Sequence, residues 1–395
     1  MATALLVGVA ANAQENKNSD AVSPELVKEI VQQVKADKSL EWASKLKFYG
    51  DLRMRYDRED GERNGETADQ KRDRLRLRAR LNMDAKLDDE WMGSIQLSTG
   101  TSDPTSGNQT FGNGFEGKSF GLERAYLRYT PEELDKALKI TAGKMGQPWI
   151  AVSDLIFDGS VNPEGIAAVG EVKLEGVTLY ANGGFFQPQG TFNDNAKTSP
   201  TRLYSAQAAA KLALDDDFSF LFGVGTFIWD NLKGKEPRTG FWEQGSGCGI
   251  NNGGAKYEVS TYEELELFAQ IDANIGIPCA VFGQYVNNAK GDKDKNAYLV
   301  GVKAGKADKG KLEASYDYRC VGRDSVLSAY TEGSIWGGGT DGIGHRVQVK
   351  YGLTKAVQLG LTGFISKANE SGTQEHASAF SGNYSRIQFD IAAKF

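Results

Sequence analysis

Long apolar runs, histidine and cysteine are all scarce in this chain of 395 residues. No stretch reaches the roughly eighteen consecutive apolar residues of a membrane-spanning helix, so that class of membrane protein is excluded. The histidines are His345 and His376, and neither stands beside a serine nucleophile motif. EF-hand and phosphate-loop patterns are also absent, so the sequence predicts no enzyme, no cofactor and no metal site.

Proline is scarce and glycine is frequent, at 9 and 47 residues, a composition suited to a chain with many strands, turns and kinks. The net charge is −6, from 46 basic and 52 acidic residues. The basic residues alternate along predicted strands and do not cluster beside stacking aromatic side chains. Nucleic acid is therefore not an expected partner.

The cysteines are Cys248, Cys279 and Cys320, and at least one of the three thiols must be unpaired. In the strand assignment below, Cys248 and Cys320 both fall at the end of the long loops. A disulfide between these two is one alternative, and three free thiols are the other. The spacing of the cysteines is not that of a metal site.

The most informative stretch is residues 73–87, in which every second residue is apolar. As a strand it has one apolar face and one charged face, whereas in a helix the leucines would be scattered around the axis. The alternation runs for about fourteen residues, longer than the five or six typical of soluble strands. Its charged face requires water, and it carries Arg74, Arg76, Arg78 and Arg80. These features favour a transmembrane β-barrel strand, with lipid on one side and water on the other.

The same strand pattern continues from Lys45 to Phe395, with connections that alternate between short turns and long polar loops. Counting these segments predicts an all-β fold, a transmembrane antiparallel β-barrel of about sixteen strands over residues 45–395. In this topology the short turns face the periplasm and the long loops face the exterior. Aromatic residues are predicted at both ends of the strands, where interfacial girdles form.

The ends of the chain carry further predictions. Residues 1–13 have the short apolar run and small-x-small site of a signal-peptide remnant, and residues 14–44 are predicted to be a periplasmic segment with a short amphipathic α-helix. The last strand ends in Phe395 and resembles the C-terminal signal that is read by the outer-membrane barrel assembly machinery. The expected surroundings are outer-membrane lipid and lipopolysaccharide.

The third long loop, residues 146–163, is apolar in its middle, unlike the other loops. An apolar loop is not expected to extend into water, so we expect it to fold inward against the barrel wall. Its acids would then face the arginines across the lumen and set the ion selectivity. The predicted constriction consists of Arg74, Arg76, Arg78, Arg80, Arg124 and Arg128 on one side, and Asp154, Asp158 and Glu164 on the other. A contact of this loop between subunits is the alternative.

Four segments together resemble the putative porin family of Gram-negative outer membranes: DLIFDGSVNPEG, IWGGGTDGIGHRVQVKYGLTKAVQLGLTGF, RAYLRY and LKITAGKMGQPW. The resemblance implies a barrel of the sixteen-strand type, general porin function and a homotrimer. Passive diffusion of small hydrophilic solutes and ions is thus the expected function. An outer-membrane adhesin or an envelope-tethering barrel, acting through its loops or its N-terminal helix, is the alternative.

Overall fold

The computed structural model describes residues 41–63, 69–100, 103–190, 199–235, 257, 259–292, 294–368 and 380–395. The chain divides into two units, residues 1–47 and residues 48–395. The described part of the first unit contains one turn of helix, α1 (Glu41–Ser44). The predicted signal remnant, most of the predicted amphipathic helix and Cys248 lie outside the described residues. Among the residues that are described, no helix is long and apolar enough to cross a membrane.

The second unit is built almost entirely from strands. Sixteen of the strands in the described residues are long, and one, β4, has two residues. Their bounds are β1 (Leu46–Arg63), β2 (Asp69–Lys86), β3 (Trp91–Thr99), β4 (Gln109–Thr110), β5 (Phe120–Tyr129), β6 (Leu138–Lys144), β7 (Glu164–Leu174), β8 (Val177–Gln189), β9 (Thr201–Ala213), β10 (Phe218–Asp230), β11 (Thr261–Asn274), β12 (Pro278–Asn288), β13 (Asn296–Gly305), β14 (Leu312–Val321), β15 (Gly342–Gly352), β16 (Val357–Ala368) and β17 (Phe380–Lys394).

The strands form one closed sheet. Each long strand pairs with its neighbours in the chain, and β1 pairs with both β2 and β17, which closes the ring. At the seam, Gly50 and Phe395 exchange backbone hydrogen bonds of 3.0 and 3.1 Å. A Cβ atom on Gly50 would lie 2.6 Å from the Phe395 ring, so this close approach requires glycine. The predicted antiparallel barrel of about sixteen strands is confirmed.

Side chains alternate between the two faces of the wall, and the usual distribution of polarity is inverted. On β11, the outward-facing Leu265 and Leu267 are 47% and 49% exposed, whereas the inward-facing Glu264 and Glu266 are 0% and 2% exposed. A continuous exposed apolar surface of this kind is expected to contact lipid. Rings pack together at both rims of this surface, with Trp91 and Tyr129 4.9 Å apart at the turn end.

The buried apolar core of the barrel lies inside it, at one side of the lumen. The β6–β7 loop (residues 145–163) contributes Trp149 and Phe157, whose rings are 4.6 Å apart. Trp149 also packs against Phe227 and Phe186 of the wall, at 5.2 and 6.0 Å. The β14–β15 loop (residues 322–341) enters the same core with Trp336, which is 1% exposed. Two loops therefore occupy this side of the barrel interior.

Candidate functional site

Part of the lumen is a cavity of about 700 Å³ with a polar lining. Among the described residues, eight arginines and five carboxylic acids line it. The arginines are Arg53, Arg55, Arg72, Arg74, Arg76, Arg78, Arg346 and Arg386, and the acids are Glu59, Asp73, Asp103, Asp158 and Glu332. Basic groups therefore outnumber acidic groups on this surface.

The arginine ladder of β2, comprising Arg74, Arg76, Arg78 and Arg80, faces inward as the alternation predicts. Its counter-charges come from the neighbouring strand β1. Nη2 of Arg74 lies 2.8 Å from Oδ2 of Asp57. The Asp51 carboxylate pairs with Nη2 of Arg78 at 2.9 Å and with Nε of Arg80 at 2.7 Å. The ladder is therefore paired within the wall, and not with acids of the β6–β7 loop.

Asp57 is the most heavily shared of these acids and is fully buried. Arg386 of β17 donates two hydrogen bonds to its carboxylate, from Nε at 2.7 Å and from Nη2 at 2.6 Å. Arg74 and Arg76 approach the same carboxylate at 2.8 and 3.5 Å. One carboxylate thus faces three guanidinium groups.

Arg53 differs from its neighbours in having no carboxylate within ion-pair distance among the described residues. Its Nη2 donates to Oδ1 of Asn108 at 2.8 Å, and its Nε has no hydrogen-bond partner there. The adjacent Arg55 is held by Asp390 at 2.7 Å. The positive charge of Arg53 is therefore the least compensated on this wall.

Arg124 and Arg128 lie on the inward face of β5, but neither lines the cavity described above. Nε of Arg124 donates to Oδ1 of Asn162 at 2.6 Å, at the end of the β6–β7 loop. Nε of Arg128 donates to Thr141 of β6 at 3.2 Å. Arg124 therefore anchors the base of the loop, and Arg128 braces the wall below it.

Asp154 of the β6–β7 loop pairs with arginines on the other side of the barrel. It lies 2.8 Å from Nη2 of Arg319 and 2.5 Å from Nη1 of Arg346. These two guanidinium groups hold the pKa of the Asp154 carboxyl well below its usual range, despite burial. Asp154 is consequently an ionised anchor of the loop.

Asp158 lines the same cavity as Arg74, Arg76 and Arg78. Its carboxylate accepts a hydrogen bond from the Ser160 backbone at 2.7 Å. Burial, followed by the nearby charge of Glu332, raises the pKa of the Asp158 carboxyl. Of the three acids predicted to oppose the ladder, Asp158 is the one that shares a surface with it.

Glu164 begins β7 on the same face as Ile166 and Val172, which are 49% and 48% exposed. Its carboxylate lies 2.7 Å from Nζ of Lys144 at the loop end of the outward surface. The strand alternation was sufficient to assign this orientation, because Glu164 is two residues from Ile166. Glu164 is therefore not part of the cavity lining.

Several residues of the cavity were not singled out from the sequence. Arg53 and Arg55 lie on the charged face of a predicted strand, so their inward orientation was readable from the alternation. The alternation of the last strand also assigns an inward orientation to Arg386, but not its partner Asp57, which is 329 positions away. Glu332 carried no comparable signal, because it lies in a loop without strand alternation. Within the part of the chain that is described, no cluster of ligating side chains is able to hold a metal ion.

The chain resembles known proteins both in sequence and in fold. The model of the family described as Putative porin matches residues 62–258 and 250–395. OprB of Pseudomonas putida has a similar structure, with a TM-score of 0.57 and 11% identity over 92% of this chain and 97% of that chain. At this identity, the likeness concerns the fold.

Two further structures are similar over 89% of this chain and 97% of their own chains. They are DcaP of Acinetobacter baumannii, with 12% identity, and OmpF of Salmonella typhi, with 11% identity, both at a TM-score of 0.49. No curated protein sequence matches the chain. The family match covers most of the chain, and the chain therefore belongs to the putative porin family, as a channel-type barrel of the bacterial outer membrane.

Proposed function

We propose that this protein forms a water-filled channel for passive diffusion of small hydrophilic solutes and ions, with a preference for anions. The observation that carries the proposal is the cavity of about 700 Å³, in which eight arginines outnumber five carboxylic acids. A charged aqueous lumen raises the local concentration of ions of opposite sign.

In this proposal the arginine wall is formed by Arg53, Arg74, Arg76 and Arg78, and Asp158 belongs to the opposing constriction loop. Arg80, Arg124, Arg128 and Asp154 act as supporting residues, because none of them lines the cavity. The apolar packing of Trp149 and Phe157 keeps the β6–β7 loop against the wall. The solute path then follows the side of the barrel that the loops leave open.

Reversal potentials in planar bilayers across a KCl gradient test the anion preference. Arg53→Gln is expected to lower the chloride-to-potassium permeability ratio by about two- to threefold at roughly 10 mM salt, where one charge about 10 Å from the ion is weakly screened. Arg202→Gln is the matched control, because Arg202 and its partner Asp230, 3.7 Å apart, both lie outside the cavity lining. An equal effect of both variants would contradict the proposed wall.

Liposome swelling with sugars of graded size tests diffusion itself. A natural chain that folds into liposomes without causing swelling would favour an adhesin or tether over a channel. The proposal also includes a non-enzymatic role, supported by the position of His345, which bonds Tyr316 at 2.8 Å on the outward face.

We further propose a homotrimer that is surrounded by lipid and lipopolysaccharide and inserted by the barrel assembly machinery through the strand ending at Phe395. Migration of the unheated protein on a denaturing gel measures the oligomer. Deletion of Phe395 is expected to slow insertion, since this residue also closes the seam with Gly50.

A further inference from the structure

Resting on the channel function above, we propose that the β14–β15 loop is a second constriction element. In this proposal Glu332 supplies a carboxylate that opposes the arginine wall, and the loop fixes the position of the β6–β7 loop. The sequence predicts only a long outer loop near residues 321–344. Three observations support the assignment: burial of the loop, its bonds to the β6–β7 loop and the local balance of charge.

The β14–β15 loop is buried to a degree that excludes a course through bulk solvent. Seven of its residues are at most 1% exposed: Asp324, Ser325, Val326, Leu327, Ile335, Trp336 and Thr340. The loop is also hydrogen-bonded to two strands of the wall, β11 and β16. The Leu327 N–H donates to Glu264 at 3.2 Å, and the Trp336 N–H donates to Ser366 at 3.1 Å. The loop therefore extends inside the barrel mouth from β11 to β16.

The two loops are bonded directly to each other. The Asp158 N–H donates to the Tyr330 carbonyl oxygen at 2.7 Å. The Thr331 hydroxyl donates to the Leu155 carbonyl oxygen at 2.8 Å. The Tyr330 ring stacks on Trp229 of β10 at 5.0 Å and 14°. The backbone of the β6–β7 loop is thus held between the wall and the β14–β15 loop.

Charge is unbalanced where the loops meet. Arg319 and Arg346 face three carboxylates, those of Asp154, Asp317 and Glu332. Asp154 and Asp317 form short pairs with both guanidinium groups, at 2.5 to 2.8 Å. Glu332 has a single, longer contact with these guanidinium groups, 3.5 Å to Arg346, and also hydrogen-bonds Asp154, so its charge is the least compensated of the three.

Glu332 is also the member of this group placed to act on a solute. It lines the cavity together with Arg74, Arg76 and Arg78, whereas Asp154 and Asp317 do not. Its Oε1 accepts the Ser334 N–H at 2.7 Å, which fixes the carboxylate in the lumen. Burial raises the pKa of the neighbouring Asp158 carboxyl, which disfavours its charged form.

Glu332→Gln is the direct test, because glutamine keeps the acceptor for Ser334 and removes the charge. We expect the chloride-to-potassium permeability ratio to increase by about two- to threefold at roughly 10 mM salt, opposite in sign to Arg53→Gln. Glu175→Gln, in the exposed turn between β7 and β8, makes the same chemical change outside the lumen and is expected to leave the ratio unchanged. Folding is checked by the gel shift of unheated protein.

Glu332→Cys provides a test within one folded protein. A sulfonate-bearing thiol reagent is expected to restore the natural ratio, and a trimethylammonium reagent to raise it further. The natural chain treated with the same reagents corrects for Cys248, Cys279 and Cys320. Equal effects of the two reagents, or an unchanged ratio in Glu332→Gln, would overturn the role of Glu332 while leaving a conducting channel intact. Absence of conductance in the natural chain would instead overturn the proposed function.

The positioning role has its own measurement. Thr331→Val removes the hydroxyl that bonds Leu155 and is expected to increase open-channel current noise, because the β6–β7 loop gains freedom. Thr331→Ser keeps the hydroxyl and is expected to retain the natural noise. Equal noise in both variants would overturn the positioning role.

Discussion

Removal of the buried Asp57 carboxylate should destabilise the barrel strongly. In Asp57→Asn, the three guanidinium groups of Arg74, Arg76 and Arg386 lose their shared counter-charge. Arg386 is the most affected, because its side chain is 5% exposed and its remaining acid, Glu59, is 4.0 Å away. A buried charge that loses its partner typically costs about 3–5 kcal/mol, and because asparagine keeps one acceptor oxygen for Arg386, the expected loss is about 3 kcal/mol.

Urea unfolding of the detergent-folded protein, followed by tryptophan fluorescence, measures this loss. Asp89→Asn is the control, since its pair with Lys86 is solvent-exposed, with side chains 62% and 74% exposed, and is expected to contribute nothing measurable. Asp57→Asn should therefore unfold at a clearly lower urea concentration than the control, with the same dependence of the unfolding free energy on urea.

A double-mutant cycle with Arg386→Gln tests whether the pair itself accounts for this loss. Because Arg386 donates two short hydrogen bonds to the Asp57 carboxylate, the combined loss should be smaller than the sum of the single losses by at least about 1 kcal/mol. Additive losses, or a midpoint for Asp57→Asn equal to that of the control, would show that the Asp57–Arg386 pair does not support the wall.

Three further outcomes are expected. Burial raises the pKa of the Asp103 carboxyl to about 6, so this group is neutral below that pH and ionised above it. The chloride-to-potassium permeability ratio should therefore fall as pH rises through about 6. Asp103→Asn should abolish this step in reversal-potential titrations. Trp149→Ala leaves a cavity beside Phe157 and Phe227 and should cost about 3–5 kcal/mol in urea unfolding, with a wider and noisier channel in single-channel records. Leu267→Arg, near the middle of the outward face of β11, should cost about 2–4 kcal/mol on folding into lipid, with Leu267→Ile as the mild control.

How much of the site could be predicted depends on how far apart in the chain the interacting residues lie. The inward orientation of Arg74 and Arg76 was predictable, because alternation along a strand is a property of neighbouring residues. The pairing of Asp57 with Arg386 was not, because it joins residues 329 positions apart. The same holds for Asp154, which the sequence placed opposite the β2 ladder and the fold brings to Arg346, 192 positions away.

The barrel follows from local sequence pattern: two-residue periodicity separates a lipid-facing surface from an aqueous one, and alternating short and long connections give its topology. Which charges remain available in the lumen depends on the folded arrangement of distant segments. This arrangement brings acids of β1 to the arginine ladder, turns Glu164 outward and places the β14–β15 loop inside the mouth. The physical reason is that strand register and loop packing join distant segments, so local periodicity assigns a face to each side chain but not a partner.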